Sequence, residues 1–185
     1  FKLKEAVERK ILEGPRVFWA GKGILARGGH GDETRSGVSE STLGAEHAGG
    51  PYARIANGAD DWRLAVREHI RAHVDLIKLY APFTRDEVGA AIEEAHMQGF
   101  RVAVDAFEKY IIWAVDAGAD TIEHTLATPD PALAMMARNG TALVPTLATY
   151  HALVSGRYSS AGLPPGGYYY DLHRSFEMTH EENLN

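Results

Sequence analysis

Apolar residues follow two different spacings along this chain, and the two spacings alternate. Segments in which hydrophobic residues recur every three or four positions indicate helices at 2–13, 60–73, 85–98, 108–118 and 129–140. Short, nearly continuous apolar runs indicate strands at 16–21, 74–80, 101–106, 120–124 and 142–146. Thr84 and Glu87 fit a capping box at one helix start, and Gly140 closes the last helix.

The alternation of helix and strand predicts one α/β domain over residues 1–185. Short turns between a helix and the next strand make neighbouring strands parallel, with right-handed crossovers. Doubly wound sheets and (β/α)8 barrels both have this order. No glycine-rich dinucleotide motif opens a helix after a strand, so a (β/α)8 TIM-type barrel is favoured. Since five strands cannot close an eight-stranded barrel, we expect an incomplete one.

The composition narrows the range of partners and of chemistry. The 185 residues carry a formal net charge of -6, with charges mixed along the chain, which argues against nucleic acid or a membrane as partner. A small-molecule ligand is expected instead. The chain has no cysteine, so a metal would need histidine, carboxylate or modified lysine ligands. No apolar run reaches the roughly 20 residues of a membrane span, and we expect a soluble, cytoplasmic protein.

Three residues with metal-ligand chemistry occupy the same place in the repeat. Lys78, Asp105 and His124 lie at the carboxyl ends of consecutive predicted strands, which meet at one face of a parallel array. Lys78 is the most unusual of them, because its charge interrupts the apolar run VDLIKLY. Burial favours the neutral amine of a lysine, so Lys78 either reaches water at the rim or is kept for its chemistry. The three residues predict a metal or catalytic cluster.

Two further residues are candidates for contact with substrate. Tyr80 lies two positions beyond the strand lysine and faces the same side. His30 lies on the long glycine-rich segment 22–59, and a loop of that length at the mouth of a barrel is typically functional. By the alternation of strand residues, Glu123 is expected to face away from His124, into the helix layer.

Five longer stretches carry a family resemblance: ARGGHGD (26–32), DDWRLAVREHIRAHVDLIKLY (60–80), EEAHMQGFRVAVDA (93–106), AVDAGADTIEHT (114–125) and NGTALVPTL (139–147). They resemble the metal-dependent amidohydrolase superfamily, especially its imidazolonepropionase-like and prolidase-like members. The resemblance implies a (β/α)8 barrel, of which this chain carries strands three to seven. It also implies one or two divalent ions, with zinc expected, bound by a carboxylated Lys78, by Asp105 and by His124. Most relatives have histidine where this chain has Asp105.

The expected function is hydrolysis of a C–N bond in a small amide or cyclic amide by a metal-activated hydroxide, with Lys78 and His124 as catalytic residues. Two alternatives stay open. The chain is a catalytically inactive structural or binding piece of such a barrel, since half of the ligand set implied by the resemblance is absent. Alternatively, it is a Schiff-base lyase that uses the Lys78 amine.

Open strand edges predict association. The outer strands of an incomplete barrel expose unpaired backbone groups and an apolar interior. We therefore expect the chain to be ordered through contact with the remainder of a barrel, or with a second copy in an oligomer. Val17, Phe18, Val144 and their neighbours are expected to carry that contact.

Overall fold

Residues 2–29, 53–125 and 128–148 are described by a computed structural model, in which helices and strands alternate. In chain order the elements are α1 (Lys2–Glu8), β1 (Gly23–Leu25), β2 (Ala53–Ile55), α2 (Ala59–Arg71), β3 (Ile77–Tyr80), α3 (Arg85–Met97), β4 (Val102–Asp105), α4 (Lys109–Asp116), β5 (Thr121–Glu123), α5 (Asp130–Asn139) and β6 (Ala142–Val144). The strands form one parallel sheet in the order β2-β1-β3-β4-β5-β6. This arrangement is part of a TIM-type barrel, and the predicted fold class is confirmed.

The core lies between one face of the sheet and the helices. Side chains on that face of β3, β4 and β5 are fully buried: Ile77, Leu79, Val102, Val104 and Ile122. Trp62 of α2 is also fully buried; its indole N–H donates to the Ala56 carbonyl at 3.1 Å, and its ring meets Phe83 edge-on. The apolar side chains therefore hold the helices on one side only, and alternate residues of the same strands face the other side.

The start of α3 shows how the loops at the carboxyl end of the sheet are held. The predicted capping box is present, with the Thr84 amide donating to the Glu87 carboxylate at 2.7 Å and the Glu87 amide donating to the Thr84 hydroxyl at 3.2 Å. The same carboxylate accepts the Gly58 amide at 2.8 Å, just before α2. One buried glutamate thus joins the loops that lead into two neighbouring helices.

The strand predicted at 16–21 is wrong, and the described sheet has six strands rather than five. Instead, the Asp75 amide donates to the Trp19 carbonyl at 2.8 Å, and the Trp19 amide donates to the Asp75 carboxylate at 2.7 Å. This segment therefore passes beside the residues that lead into β3 without joining the sheet. Both β1 and β2 lie inside the segment predicted as a glycine-rich connection. Each has three residues, which is too short for a periodic pattern to be visible. The first helix is also shorter than expected and ends at Glu8.

The predicted association surface is only partly where the sequence placed it. Within the described residues the outer strands are β2 and β6, so Val144 lies on an edge strand, whereas Val17 and Phe18 lie outside the sheet. Phe18 and Val144 are exposed. Association through these residues stays a prediction, as does the single domain over 1–185. No helix in the described ranges is long and apolar enough to cross a membrane.

Candidate functional site

The face of the sheet opposite the helices carries polar side chains in two layers. In the strand register Tyr80 lies beside Asp105, and Asp105 lies beside Glu123. Lys78 is two residues before Tyr80 and so occupies the next layer down, in line with Ala103 and Thr121. Because residues two apart share a face of a strand, the lysine and both carboxylates look into the same space, at the end of the sheet where barrel enzymes place their active sites.

Lys78 is a buried amine with two carboxylates near it. Burial lowers the pKa of Lys78 below its ordinary value of 10.5, and the negative charges of Asp105 and Glu123 partly offset that effect. The Nζ atom lies 5.1 Å from the centre of the Tyr80 ring, on the same face. Of the two alternatives left open for Lys78, the structure shows a lysine that is largely buried on the inner face of the sheet.

Glu123 faces the site, and the prediction that it lies in the helix layer is wrong. Ile122 is fully buried against the helices, so Thr121 and Glu123 on either side of it face the inner space. The Thr121 hydroxyl donates to the Glu123 carboxylate at 2.5 Å, which fixes its position. The alternation argument counted from His124, but His124 has a left-handed φ of 61° and is no longer part of the strand.

His124 lies just past the end of β5 and binds the end of β6. Its amide donates to the Val144 carbonyl at 3.0 Å, and its Nδ1 lies 2.6 Å from the Thr146 hydroxyl. The side chain is exposed. The sequence identified the histidine but not Thr146, because the threonine follows a short strand and belongs to no recognisable ligand spacing.

A cavity of about 610 Å³ adjoins the lysine and is bounded by the segment that leads into β1. Its walls are Trp19, Ala20, Gly21, Lys22, Gly23, Lys78 and Tyr80. Gly23 leaves room for the Tyr80 ring there, since a Cβ at this position would lie 1.9 Å from that ring unless the ring moved. The Tyr80 ring therefore packs directly over the backbone of β1. Tyr80 lines this cavity, and its contact with a substrate stays a prediction.

A buried histidine that sequence analysis did not assign holds this wall in place. His69 of α2 places one ring nitrogen 2.7 Å from the Lys22 carbonyl and the other 2.6 Å from the Ala65 carbonyl. Gly21, with a φ of 74°, packs against the same ring. His69 is therefore a buried residue bound to backbone carbonyls at both ring nitrogens.

The described histidine and carboxylate side chains of the site do not by themselves make a site for a divalent metal. Among the described residues no three histidine, aspartate or glutamate side chains are grouped so that they could hold a metal ion, so Asp105, Glu123 and His124 do not form such a group. A site here needs Lys78 as an additional oxygen donor, in the form of a carbamate. The buried amine fits that requirement. His30 lies outside the described residues, as does most of the segment 22–59.

Comparison with known proteins gives a consistent set of relatives. No family model matches the chain. A prolidase solved in complex with N-methylphosphonate-L-proline superposes with a TM-score of 0.79 at 31% identity, over 100% of this chain and 48% of that one. An amidohydrolase superposes with a TM-score of 0.77 at 33% identity, over 96% of this chain and 48% of that one.

Sequence comparison alone finds shorter matches. An uncharacterized protein of Mycobacterium tuberculosis is 39% identical over 97 residues, which is 51% of this chain and 25% of that protein. Ochratoxinase of Aspergillus niger is 26% identical over 165 residues, covering 77% of this chain and 34% of the enzyme. The chain thus spans about half the length of the solved structures that it matches, and less of these two relatives.

Proposed function

We propose, from the now confirmed resemblance to amidohydrolases and prolidases, that this chain belongs to a hydrolase that cleaves a C–N bond of an amide or cyclic amide. The observation that carries the proposal is Lys78, a buried amine with a lowered pKa on the inner face of a TIM-type sheet. Burying a lysine lowers the stability of a protein, so a buried lysine points to a use for its amine. Small amides, including dipeptides that end in proline, are the substrates to test first.

In its neutral form the Lys78 amine is able to react with carbon dioxide. Its nitrogen forms a bond to the carbon of carbon dioxide and loses a proton to solvent, which gives a carbamate and two new oxygen donors. Asp105 and Glu123 would repel that anion. Carbamate formation at Lys78 is therefore expected only together with a cation, so that carbon dioxide and metal are taken up together.

Lys78 as a carbamate, Asp105 and His124 are the residues that would hold one or two divalent ions, with zinc the expected metal. When bound, the ion would supply Lewis acidity toward the amide carbonyl and toward water. The chain itself contributes two carboxylates on one face, of which Glu123 is fixed by Thr121 and is able to accept a proton from water. The Tyr80 ring covers one side of the amine and limits its contact with solvent.

Metal content and turnover test this proposal. The wild-type chain is titrated with zinc, with and without bicarbonate, and assayed on N-acyl amino acids and on Xaa-Pro dipeptides. Lys78→Met is expected to abolish zinc retention and turnover, and bicarbonate is expected to tighten zinc binding only in the wild type. Lys109→Met, at an exposed lysine of α4, is the matched control. Equal zinc content in the wild type and in Lys78→Met would contradict the assignment.

The lowered pKa of Lys78 also favours a second function, a lyase that forms a Schiff base with a carbonyl substrate. Borohydride reduction in the presence of a panel of aldehydes and ketones separates the two. A stable adduct on Lys78 with no zinc binding would support the lyase. An absence of both adduct and zinc binding would favour the catalytically inactive piece.

A further inference from the structure

Two residues at the carboxyl ends of neighbouring strands have a backbone conformation that their side chains disfavour. His124 follows β5 with a φ of 61°, and Thr146 follows β6 with a φ of 53°. Residues other than glycine seldom adopt positive φ, and for a β-branched residue such as Thr146 the conformation is a clear outlier. Strain of this kind persists only where surrounding contacts enforce it, and it is concentrated at functional sites.

Three hydrogen bonds join these two residues through Val144 in a closed ring. The His124 amide donates to the Val144 carbonyl at 3.0 Å. The Thr146 hydroxyl donates to the same carbonyl at 3.4 Å, and its oxygen lies 2.6 Å from Nδ1 of His124. A hydroxyl has one proton to donate. Both contacts of the hydroxyl are made at once when its proton is directed to Val144 and its oxygen accepts the Nδ1–H of His124.

We propose that Thr146 is a positioning residue that holds His124 in the Nδ1–H tautomer. In this form the lone pair of the neutral imidazole is on Nε2, which is the nitrogen a metal or a substrate proton would meet. The ligand role of His124 rests on the function proposed above, whereas the tautomer is inferred from the hydrogen bonds of Thr146. A hydrogen bond from the second nitrogen is the usual way in which proteins orient a ligating histidine.

The tautomer distinguishes this role from simple strand bracing. A hydrogen bond that only joined β5 to β6 would tolerate either orientation of the Thr146 hydroxyl, and the imidazole would keep the Nε2–H form that is more stable in an isolated side chain. His96 supplies an internal reference, since its Nε2 lies 3.0 Å from the Asp120 carboxylate and engages the opposite nitrogen. The two histidines should therefore give opposite patterns.

Nitrogen NMR of the histidine-labelled chain tests the proposal directly. Long-range proton–nitrogen spectra distinguish a protonated from an unprotonated ring nitrogen, and loss of one signal set in His124→Gln assigns His124. We expect a protonated Nδ1 in the wild type, a shift toward the Nε2–H form in Thr146→Val, and recovery in Thr146→Ser. An Nε2–H form in the wild type, or an unchanged tautomer in a folded Thr146→Val variant, would overturn it.

Zinc titration of the same variants tests the consequence for binding. Thr146→Val is expected to weaken zinc binding about 10–100-fold, the effect typical of losing a hydrogen-bond partner of a ligating histidine, and Thr146→Ser is expected to restore it. The two assays separate the two proposals. Failure of the wild type to bind zinc would overturn the proposed function, while the NMR result would still decide the role of Thr146.

Discussion

The two faces of the sheet are built from alternate residues of the same strands, yet they differ in kind. The helix-facing side chains of β3, β4 and β5 are apolar and fully buried. The inner face carries Lys78, Tyr80, Asp105 and Glu123, with two like charges beside each other and an amine whose pKa is lowered by burial. Stability is thus concentrated on one face, whereas the other face holds a desolvated amine and neighbouring carboxylates that cost stability.

The largest expected effect comes from breaking the helix-facing side. Trp62→Ala removes a fully buried ring and its hydrogen bond to Ala56, and should lower the free energy of unfolding by about 3–5 kcal/mol. Urea denaturation followed by circular dichroism measures it. Leu64→Ala, on the exposed side of the same helix, should change stability by less than about 0.5 kcal/mol. Equal losses in the two variants would show that α2 is not packed as described.

A smaller effect is expected where the inner face meets the backbone of β1. Gly23→Ala places a methyl group against the Tyr80 ring, which must move, at a cost of about 1–3 kcal/mol. Displacement of the ring should also expose Lys78, so that its reaction with an amine reagent, followed by mass spectrometry, becomes faster. Gly89→Ala in α3 meets no atom within 4 Å and should stabilise the helix by about 0.5–1 kcal/mol. Unchanged labelling of Lys78 would contradict the contact.

Removal of the cap of α3 should have a smaller effect, confined to stability. Thr84→Ala loses the hydroxyl that accepts the Glu87 amide and should cost about 1 kcal/mol. Thr84→Ser keeps the hydroxyl and should behave like the wild type. The labelling rate of Lys78 should be the same in all three proteins, because the cap lies on the helix side. A changed rate in Thr84→Ala would show that the two faces are coupled.

The stability of the wild type should depend on pH through the lowered pKa of Lys78. The folded-state pKa is lowered, so between that pKa and the unfolded value of 10.5 the unfolded chain binds more protons at Lys78 than the folded chain does. The wild type therefore loses stability as the pH falls through this window. Lys78→Met removes this loss. The variant should therefore exceed the wild type in stability at pH 7, with the difference shrinking as the pH approaches 10.5. A difference that does not depend on pH would be inconsistent with a desolvated amine.

The helix-facing side of the sheet could be predicted from the sequence, because it depends on the periodic spacing of apolar residues. Strands β3 to β6 lie within the predicted apolar runs, and the capping box at Thr84 and the closing glycine at Gly140 are found where expected. The parallel pairing of consecutive strands from β3 to β6 followed from the short turns between each helix and the next strand. Three-residue strands such as β1 and β2 leave no periodic signal, so the edge of the sheet could not be predicted.

The site was predicted less completely, because its chemistry depends on tertiary contacts. The proximity of Lys78 to Asp105 followed from their placement near the carboxyl ends of neighbouring strands, although the register puts Lys78 one layer lower, beside Ala103. Glu123 was assigned to the wrong face, because a positive φ at His124 shifts the alternation by one residue. Thr146 and His69 act through hydrogen bonds that join residues 22 and 47 positions apart, a distance at which a single sequence carries no pairing information.

The buried carboxylate of Glu87 has a consequence for the way the molecule opens. The amides of Gly58 and Thr84 lie in different loops but donate to the two oxygens of one side chain. Neither amide can become accessible to solvent through rotation of that side chain without the release of the other. Their hydrogens should therefore exchange with deuterium with one common protection factor, as a single cooperative unit that spans the starts of α2 and α3.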